Sequence, residues 1–233
     1  MTTLPVLILA GGLGTRLSTI SGSSPKVLIP LLNRPFLAWK LEGLQKQGVT
    51  EVILILGKGA DQVEEFLKSY PTDLKIKTYR DGNQPLGTAG AIRKHYENLP
   101  PLFVLTFGDN LLDFNLGDLE NAFFNREIPL MVCTNQIWPN ERFNLKFNGD
   151  LIVSYDKNGA RDFNYADYGY SVFRKSDFGG LETEKFYDLS VVIHSLIRTS
   201  SLGGIRTEMK YYEIGTPVAL QNTISWLNLG LKE

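Results

Sequence analysis

The stretch LILAGGLGTRL, residues 7–17, joins a short apolar run to a glycine-rich turn that ends in a cation. The apolar run predicts a buried strand. The glycines adopt backbone angles that other residues avoid, and they let amide groups approach a phosphate closely. Arg16 adds a forked cation at the same place. The turn from Gly11 to Arg16 therefore predicts a phosphate-binding cradle, and the alternative is a plain strand-to-helix connection.

The turn matches neither of the two standard nucleotide motifs. The dinucleotide pattern needs a third glycine where Leu17 stands, and the Walker pattern needs a lysine after its last glycine. A dinucleotide-dependent oxidoreductase would also need an acidic ribose ligand, and the sequence has no match for it. These departures argue against an oxidoreductase.

Composition limits the classes of partner. The chain has 233 residues, 43% of them hydrophobic, which is enough for one compact domain. Its 24 basic and 25 acidic residues give a formal charge of −1, so we expect no general binding to nucleic acid or to a membrane. Cys133 is the only cysteine, and the N-terminus lacks the pattern of a signal peptide. The sequence predicts a cytoplasmic protein, in which Cys133 is a small buried strand residue.

The order of apolar and amphipathic stretches predicts an α/β fold. Strand-like and helix-like stretches alternate in the first half, at 5–9, 36–47, 52–56, 61–70, 74–79, 88–98 and 102–107. This alternation predicts a parallel sheet with helices on both faces, whose ligands bind at the carboxyl ends of the strands. The second half mixes strands at 130–134, 151–155 and 168–173 with helices near 189–198 and 217–229. We expect one domain with two lobes, about 1–130 and 131–233, and a cleft between them.

Several segments together resemble the sugar-1-phosphate nucleotidyltransferases. The resemblance begins with residues 7–17 and the pair Pro25 and Lys26, and it spans nearly the whole chain. It continues through NRPF at 33–36, QGVTEVIL at 47–54, QPLGTAGAI at 84–92, TFGDNLL at 106–112 and YEIGTP at 212–217. It implies a Rossmann-like three-layer fold with a mostly parallel central sheet, and we expect no C-terminal β-helix of the kind that longer members carry.

The resemblance implies a reaction between a nucleoside triphosphate and a sugar-1-phosphate that gives a nucleoside diphosphate sugar and pyrophosphate. The sugar phosphate is already an anion at neutral pH, so alignment and charge neutralisation suffice. Arg16 and Lys26 are the implied catalytic cations. The implied nucleotide-binding residues are Leu9, Ala10, Gly11, Gly12, Gly14, Thr15, Gln84, Gly87 and Thr88.

Two carboxylates are candidate magnesium ligands. Asp109 follows the apolar run 102–107, which places it at the carboxyl end of a predicted strand. The resemblance implies Glu213 as the second ligand, where the family usually has an aspartate. Magnesium takes one or two carboxylates together with phosphate oxygens and water.

The sugar end of the site is less clearly marked. The resemblance implies Lys157 as a ligand of the sugar-bound phosphate. Asp167 and Gly169 fall where relatives carry an asparagine–alanine–glycine run that contacts the sugar, and here the run is Asp167, Tyr168, Gly169. The identity of the sugar therefore stays open.

The identity of the nucleotide base also stays open. The overall likeness favours guanylyltransferases for heptose-1-phosphate or mannose-1-phosphate in bacterial polysaccharide synthesis. Gln84 stands where those enzymes commonly have glutamate, and a glutamine could pair with uracil, thymine or cytosine instead, so this position and the overall likeness point in different directions. The remaining alternative is a regulatory protein that binds a nucleotide sugar without catalysis, and the association of identical chains stays open.

Overall fold

The computed structural model describes residues 4–11, 24–82, 84–139 and 141–230. Its centre is a nine-stranded sheet in the order β5-β4-β1-β6-β11-β8-β12-β10-β9. The strands are β1 Val6–Ala10, β4 Glu51–Leu56, β5 Lys75–Arg80, β6 Leu102–Phe107, β8 Leu130–Thr134, β9 Leu145–Asn148, β10 Leu151–Tyr155, β11 Ala166–Arg174 and β12 Gly203–Thr207. Two short ribbons pair β2 Pro30–Leu31 with β3 Arg34–Pro35, and β7 Asn110–Leu111 with β13 Tyr212–Glu213.

The first four strands of the sheet are parallel. β1 lies between β4 and β6, and β5 extends the sheet beyond β4. β1, β4 and β6 are apolar along nearly their whole length, as expected of strands that are covered on both faces. Parallel strands end at one edge, and the residues that follow them meet there.

The rest of the sheet is mixed. β11 runs antiparallel to both β6 and β8, whereas β12 is parallel to β8. β10 and β9 complete the edge with antiparallel pairing. The predicted α/β fold with a mostly parallel sheet is confirmed.

Helices cover both faces of the sheet. Those among the described residues are α1 Phe36–Lys46, α2 Ala60–Ser69, α3 Gly87–Lys94, α4 Leu116–Arg126, α5 Ser190–Arg198 and α6 Pro217–Gly230. One core cluster packs α1, α2 and α4 on one face, and a second packs α3 and α5 on the other. None of these helices combines the length and apolar composition that crossing a membrane takes, within the described residues.

Sequence patterns predict most of the longer elements within a few residues. Among the differences, the patterns do not indicate β9. The predicted helix at 88–98 is α3 followed by a short 3-10 turn, Tyr96–Asn98. α4, which begins after the N-cap Asn115, was not predicted, and neither was β12. β12 begins with two glycines, which weaken any strand pattern in the sequence. Its hydrogen-bonded pairing with β8 stabilises the strand in place of local propensity. Cys133 is buried in β8 as predicted, and burial raises the pKa of its thiol.

Candidate active site

A pocket of about 650 Å³ lies at the carboxyl ends of the four parallel strands. Among the predicted site residues, those that line it are Leu9, Ala10, Gly11, Lys26, Gln84, Gly87, Thr88 and Asp109. Residues from distant parts of the chain therefore meet at one sheet edge. A larger cavity of about 950 Å³ lies between α1 and α6, and it contains none of the predicted site residues.

Glycines follow the strand ends at the base of this pocket, where there is no room for a side chain. A Cβ atom on Gly57, just after β4, would lie 2.6 Å from the carbonyl oxygen of Gly11. A Cβ atom on Gly108, just after β6, would lie 2.9 Å from Val27 and 3.0 Å from Ala10. Side chains at these places would push the strand ends apart, so the floor consists largely of backbone.

Lys26 and Asp109 form an ion pair at one end of the pocket. Lys26 Nζ donates to Asp109 Oδ2 across 2.6 Å, and the side chains are 14% and 37% exposed. Lys26 begins a 3-10 turn directly after Pro25, and Pro25 packs closely over Gly59. The predicted stiff segment thus brings a cation to the carboxylate that follows β6.

A buried lysine holds the turn that carries Asp109. Lys40 of α1 donates to the carbonyl oxygen of Asn110 at 2.9 Å and to its Oδ1 at 2.8 Å. Thr106 Oγ1 lies 3.4 Å from Lys40 Nζ and 3.2 Å from the same Oδ1. Burial lowers the pKa of Lys40 to about 7, against the opposing effect of the Asp109 charge. These bonds tie Asn110 to the helix and so restrict the residue before it.

Glu213 reaches the same turn through its backbone. β13 pairs with β7 so that Glu213 stands opposite Asn110, and the Ile214 amide donates to the Asp109 carbonyl at 2.9 Å. The structure therefore brings the two predicted metal ligands together at the backbone. Across the described ranges, this site included, no group of three or more histidine, cysteine, aspartate or glutamate residues is arranged to hold a metal ion.

Gly87 and Thr88 connect the pocket to the second half of the chain. A Cβ atom on Gly87 would lie 2.5 Å from the Tyr187 carbonyl oxygen, and Gly87 has a φ of +70°. Thr88 Oγ1 accepts a hydrogen bond from the Leu189 amide at 2.7 Å. Gln84 is exposed at the pocket wall. Thr88 thus has a structural bond to the residue before α5, whereas Gln84 is exposed.

Asp81 lines the pocket and forms an incompletely bonded pair with His95. Asp81 follows β5, and its Oδ1 lies 3.5 Å from His95 Nε2. Both atoms are buried, and neither makes a hydrogen bond to any part of the chain that the structure describes. Buried polar atoms without partners are rare in folded proteins. The other carboxylate oxygen, Oδ2, would lie 3.2 Å from a Cβ atom on Gly11.

The predicted sugar residues lie on the mixed half of the sheet. Gly169 of β11 has a φ of +101°, and a Cβ atom there would lie 2.4 Å from Asn110 Nδ2. Its amide donates to Asp167 Oδ1 at 2.9 Å. Burial raises the pKa of Asp167 to about 6, although the bond from Gly169 opposes it. Gly169 therefore packs against the turn that carries Asp109, and Asp167 lies beside it.

Lys157 lies apart from these residues in an ion pair. Its Nζ is 2.5 Å from Asp188 Oδ2, and its side chain is 66% exposed. Burial raises the pKa of Asp188, but hydrogen bonds from Lys157 and Ser190 outweigh it, so the pKa is below its ordinary value. Asp188 is next to Leu189, which contacts Thr88, so this pair lies on the segment that flanks α3.

Four predicted residues, Gly12, Gly14, Thr15 and Arg16, lie outside the described residues. Sequence analysis also missed two residues that a simple signal marks, one that lines the pocket and one that supports the turn beside it. Asp81 follows its strand as Asp109 follows another, so the same strand-end rule would have found it. Lys40 interrupts the apolar face of α1 formed by Phe36, Leu37, Leu41 and Leu44. A lysine within such a face is a signal for a buried polar contact.

Comparison with known proteins places the chain among nucleotidyl transferases. A family model described as nucleotidyl transferase matches residues 5–141, more than half of the chain. The D-glycero-alpha-D-manno-heptose 1-phosphate guanylyltransferase of Campylobacter jejuni is 26% identical over 216 residues, which are 92% of this chain and 96% of that protein. Mannose-1-phosphate guanyltransferase beta-B of Xenopus laevis is 39% identical over 121 residues, but these are 50% of this chain and 33% of that protein.

Solved structures share the fold. HddC from Yersinia pseudotuberculosis superimposes with a TM-score of 0.83 at 23% identity, covering 97% of this chain and 100% of that one. Its complex with GMP-PN gives a TM-score of 0.80 at 22% identity, with the same coverage. The match of the family model agrees with the glycine-rich turn and the pocket at the strand ends, and an oxidoreductase is not supported. The chain belongs to the nucleotidyl transferase family.

Proposed function

We propose that this protein transfers a guanylyl group from GTP to a heptose- or mannose-1-phosphate and releases pyrophosphate. The observation that carries the proposal is the ion pair of Lys26 with Asp109 in a strand-end pocket that also contains Gly11 and Gln84. Relatives named as heptose-1-phosphate guanylyltransferases match along nearly their whole length and support the choice of base and sugar.

In the proposed reaction, an oxygen of the sugar phosphate forms a bond to the α-phosphorus of GTP as the bond to pyrophosphate breaks. The phosphate monoester is largely a dianion at neutral pH, so no side chain has to remove a proton. Lys26 offsets the charge on the reacting phosphates, and Arg16 is proposed to do the same at the leaving pyrophosphate. Backbone amides near Gly11 would align the nucleotide, which is the other main contribution to phosphoryl transfer.

Magnesium is proposed to bind at Asp109 and Glu213. Carboxylate oxygens are the ligand type that this ion prefers, and two of them with phosphate oxygens and water are sufficient. The hydrogen bond between the Ile214 amide and the Asp109 carbonyl supports a shared site. When bound, the ion would add positive charge at the phosphates.

We propose the division of labour that the sequence predicts, with the nucleotide at residues 1–130 and the sugar at residues 131–233. The contact of Gly169 with Asn110 supports it, because this contact joins β11 to the turn of Asp109. Asp167 would then accept from sugar hydroxyls. Lys157 would bind the sugar phosphate only after its ion pair with Asp188 breaks. We therefore expect Lys157 to contribute least to substrate binding among the proposed sugar-site residues.

The proposal is tested with a matrix of substrates. GTP, UTP, dTTP and CTP are each combined with heptose-, mannose- and glucose-1-phosphate in the presence of magnesium, and pyrophosphate release is measured. We expect the highest kcat/KM for GTP with a heptose- or mannose-1-phosphate. A preference for UTP, dTTP or CTP would support the alternative that Gln84 raises, and no release from any pair would contradict catalysis.

A further inference from the structure

Asp81 is an acidic group in the pocket that the proposed reaction does not use. It lies in a row with the other strand ends, because the sheet register aligns Arg80 with Leu56 and Leu56 with Ala10. Asp81 and Asp109 thus stand beyond the two outer strands of the parallel group. With neighbouring strands about 4.8 Å apart, three spacings separate them by about 14 Å. A carboxylate at this distance does not contact phosphates held at Lys26.

The pocket that Asp81 lines has an apolar lining suited to a flat ring. The backbones of Gly57 and Gly11 approach each other closely there, with no room for a side chain on Gly57. Apolar groups surround this part, contributed by Leu9, Ile55, Pro85, Leu86, Ala91 and Phe186. Aromatic ligands bind in apolar clefts with a few polar groups that fix their orientation. The base of a nucleotide fits this end, with its phosphates directed toward Lys26.

The two oxygens of Asp81 have different surroundings. Oδ1 is buried and faces His95 Nε2, whereas Oδ2 is on the side of Gly11. His95 is itself fixed, because its ring stacks on Tyr79 with centroids 5.2 Å apart. His95 therefore lies against Oδ1 of the carboxylate, and Oδ2 can accept a hydrogen bond from a ligand. A carboxylate in this form accepts hydrogen bonds and cannot donate them.

Among the common bases, guanine matches a lone carboxylate best. Its N1–H and N2–H₂ groups are neighbouring donors on one edge. Uracil and thymine offer one N–H between two carbonyl oxygens, and cytosine and adenine offer an amino group beside a bare ring nitrogen that would repel a carboxylate. We infer that Asp81 is the specificity-determining residue for guanine, accepting from N1–H or N2–H₂, and that His95 positions it. This inference rests on the proposed function.

The inference also accounts for Gln84. The carboxylate that guanine requires is supplied by Asp81, three residues earlier in the same loop. Gln84 lines the same pocket, and its amide can donate to a carbonyl oxygen such as O6 of guanine. A glutamine at this position is therefore compatible with GTP.

The test compares nucleotides that differ only at position 2 of the base. Wild type, Asp81→Asn and the control Asp73→Asn are assayed with GTP, with ITP, which lacks the amino group, and with XTP, which has an oxygen there. Asp73 is exposed before the other end of β5, so its variant keeps the wild-type preference. We expect Asp81→Asn to lose about 10- to 100-fold in kcat/KM for GTP, the range of a hydrogen bond to a charged group. The new amide can donate to the XTP oxygen, so activity with XTP should rise at least tenfold relative to GTP.

The outcomes separate the two proposals. If wild type prefers UTP, dTTP or CTP, the proposed guanylyl transfer fails and the role of Asp81 fails with it. If wild type prefers GTP but Asp81→Asn keeps the same ratios of GTP, ITP and XTP, only the role of Asp81 is overturned. If the variant does not fold, the inference is tested by calorimetric measurement of GTP and ITP binding to the wild-type protein. There we expect GTP to bind at least tenfold more tightly than ITP, and equal affinities would overturn the inference.

Discussion

Asp109 and Asp81 occupy equivalent places at the two outer strands of the parallel group, yet their surroundings differ. Asp109 is paired with the Lys26 cation at 2.6 Å, and its neighbour Asn110 is tied to Lys40. Asp81 faces a histidine at 3.5 Å in an apolar wall. The sheet edge determines where a strand-end residue lies, and its partners determine what it can bind. The Lys26 cation suits phosphates and the Asp109 carboxylate suits a metal ion, whereas a carboxylate in an apolar wall suits N–H donors.

Removal of the Asp109 carboxylate should have the largest effect. We expect Asp109→Ala to lower kcat about 10³-fold, because a proposed magnesium ligand is lost and with it positive charge at the reacting phosphates. The circular dichroism spectrum should stay that of wild type, since Asp109 is partly exposed. Asp113→Ala is the control, because Asp113 is an exposed acid close in sequence. Near-normal turnover of Asp109→Ala would contradict its role at the metal.

Removal of the cation from the same pair should have a smaller effect. We expect Lys26→Met to lower kcat/KM about 10²-fold, since other groups at the phosphates remain. Steady-state kinetics at saturating magnesium measure this change. Lys58→Met is the matched control, because Lys58 lines the pocket from the loop after β4 and makes no ion pair with a described residue. Equal losses in the two variants would indicate a general field effect in place of a specific contact.

Sequence analysis could predict the parts of this edge that depend on local order. β4 and β6 are apolar runs, so the placement of Asp109 at a strand end followed directly from the pattern. The hydrogen bond from Lys40 to Asn110 joins residues 70 positions apart. Glu213 lies at the site because β13 pairs with β7. Such contacts depend on the packing of whole elements. The sequence pattern also fails to indicate β12, because this strand begins with two glycines and is stabilised by its pairing with β8.

Lys40 tests whether the Asp109 end depends on a buried support. We expect Lys40→Met to lower the free energy of unfolding by about 1–3 kcal/mol, because the two buried oxygens of Asn110 lose a donor. Urea denaturation measures the change. Lys46→Met in the same helix should change stability little, since Lys46 is exposed on the surface. A Lys40→Met variant as stable as wild type would show that the turn is held by other contacts.

Asp167 extends the comparison to an acid whose hydrogen-bond partner is a neutral amide. Burial raises the pKa of Asp167 to about 6 in the folded state, above its ordinary value of 3.8. Between about pH 4 and 6 the unfolded chain loses this proton while the folded chain keeps it, so the contribution to stability falls as pH rises. We therefore expect Asp167→Asn to gain stability relative to wild type across this window, with no further gain above it.

Thermal unfolding at a series of pH values measures that difference, and Asp162 provides a contrast of opposite sign. A hydrogen bond from Lys146 lowers the pKa of Asp162, so its contribution to stability is present above its ordinary pKa and is lost as the pH falls. Asp162→Asn should therefore lose stability relative to wild type as pH rises through the ordinary range of an aspartate, by a small amount because the pair is exposed. If both variants follow the same pH profile, burial does not control the Asp167 carboxyl, and its surroundings resemble those of a surface acid.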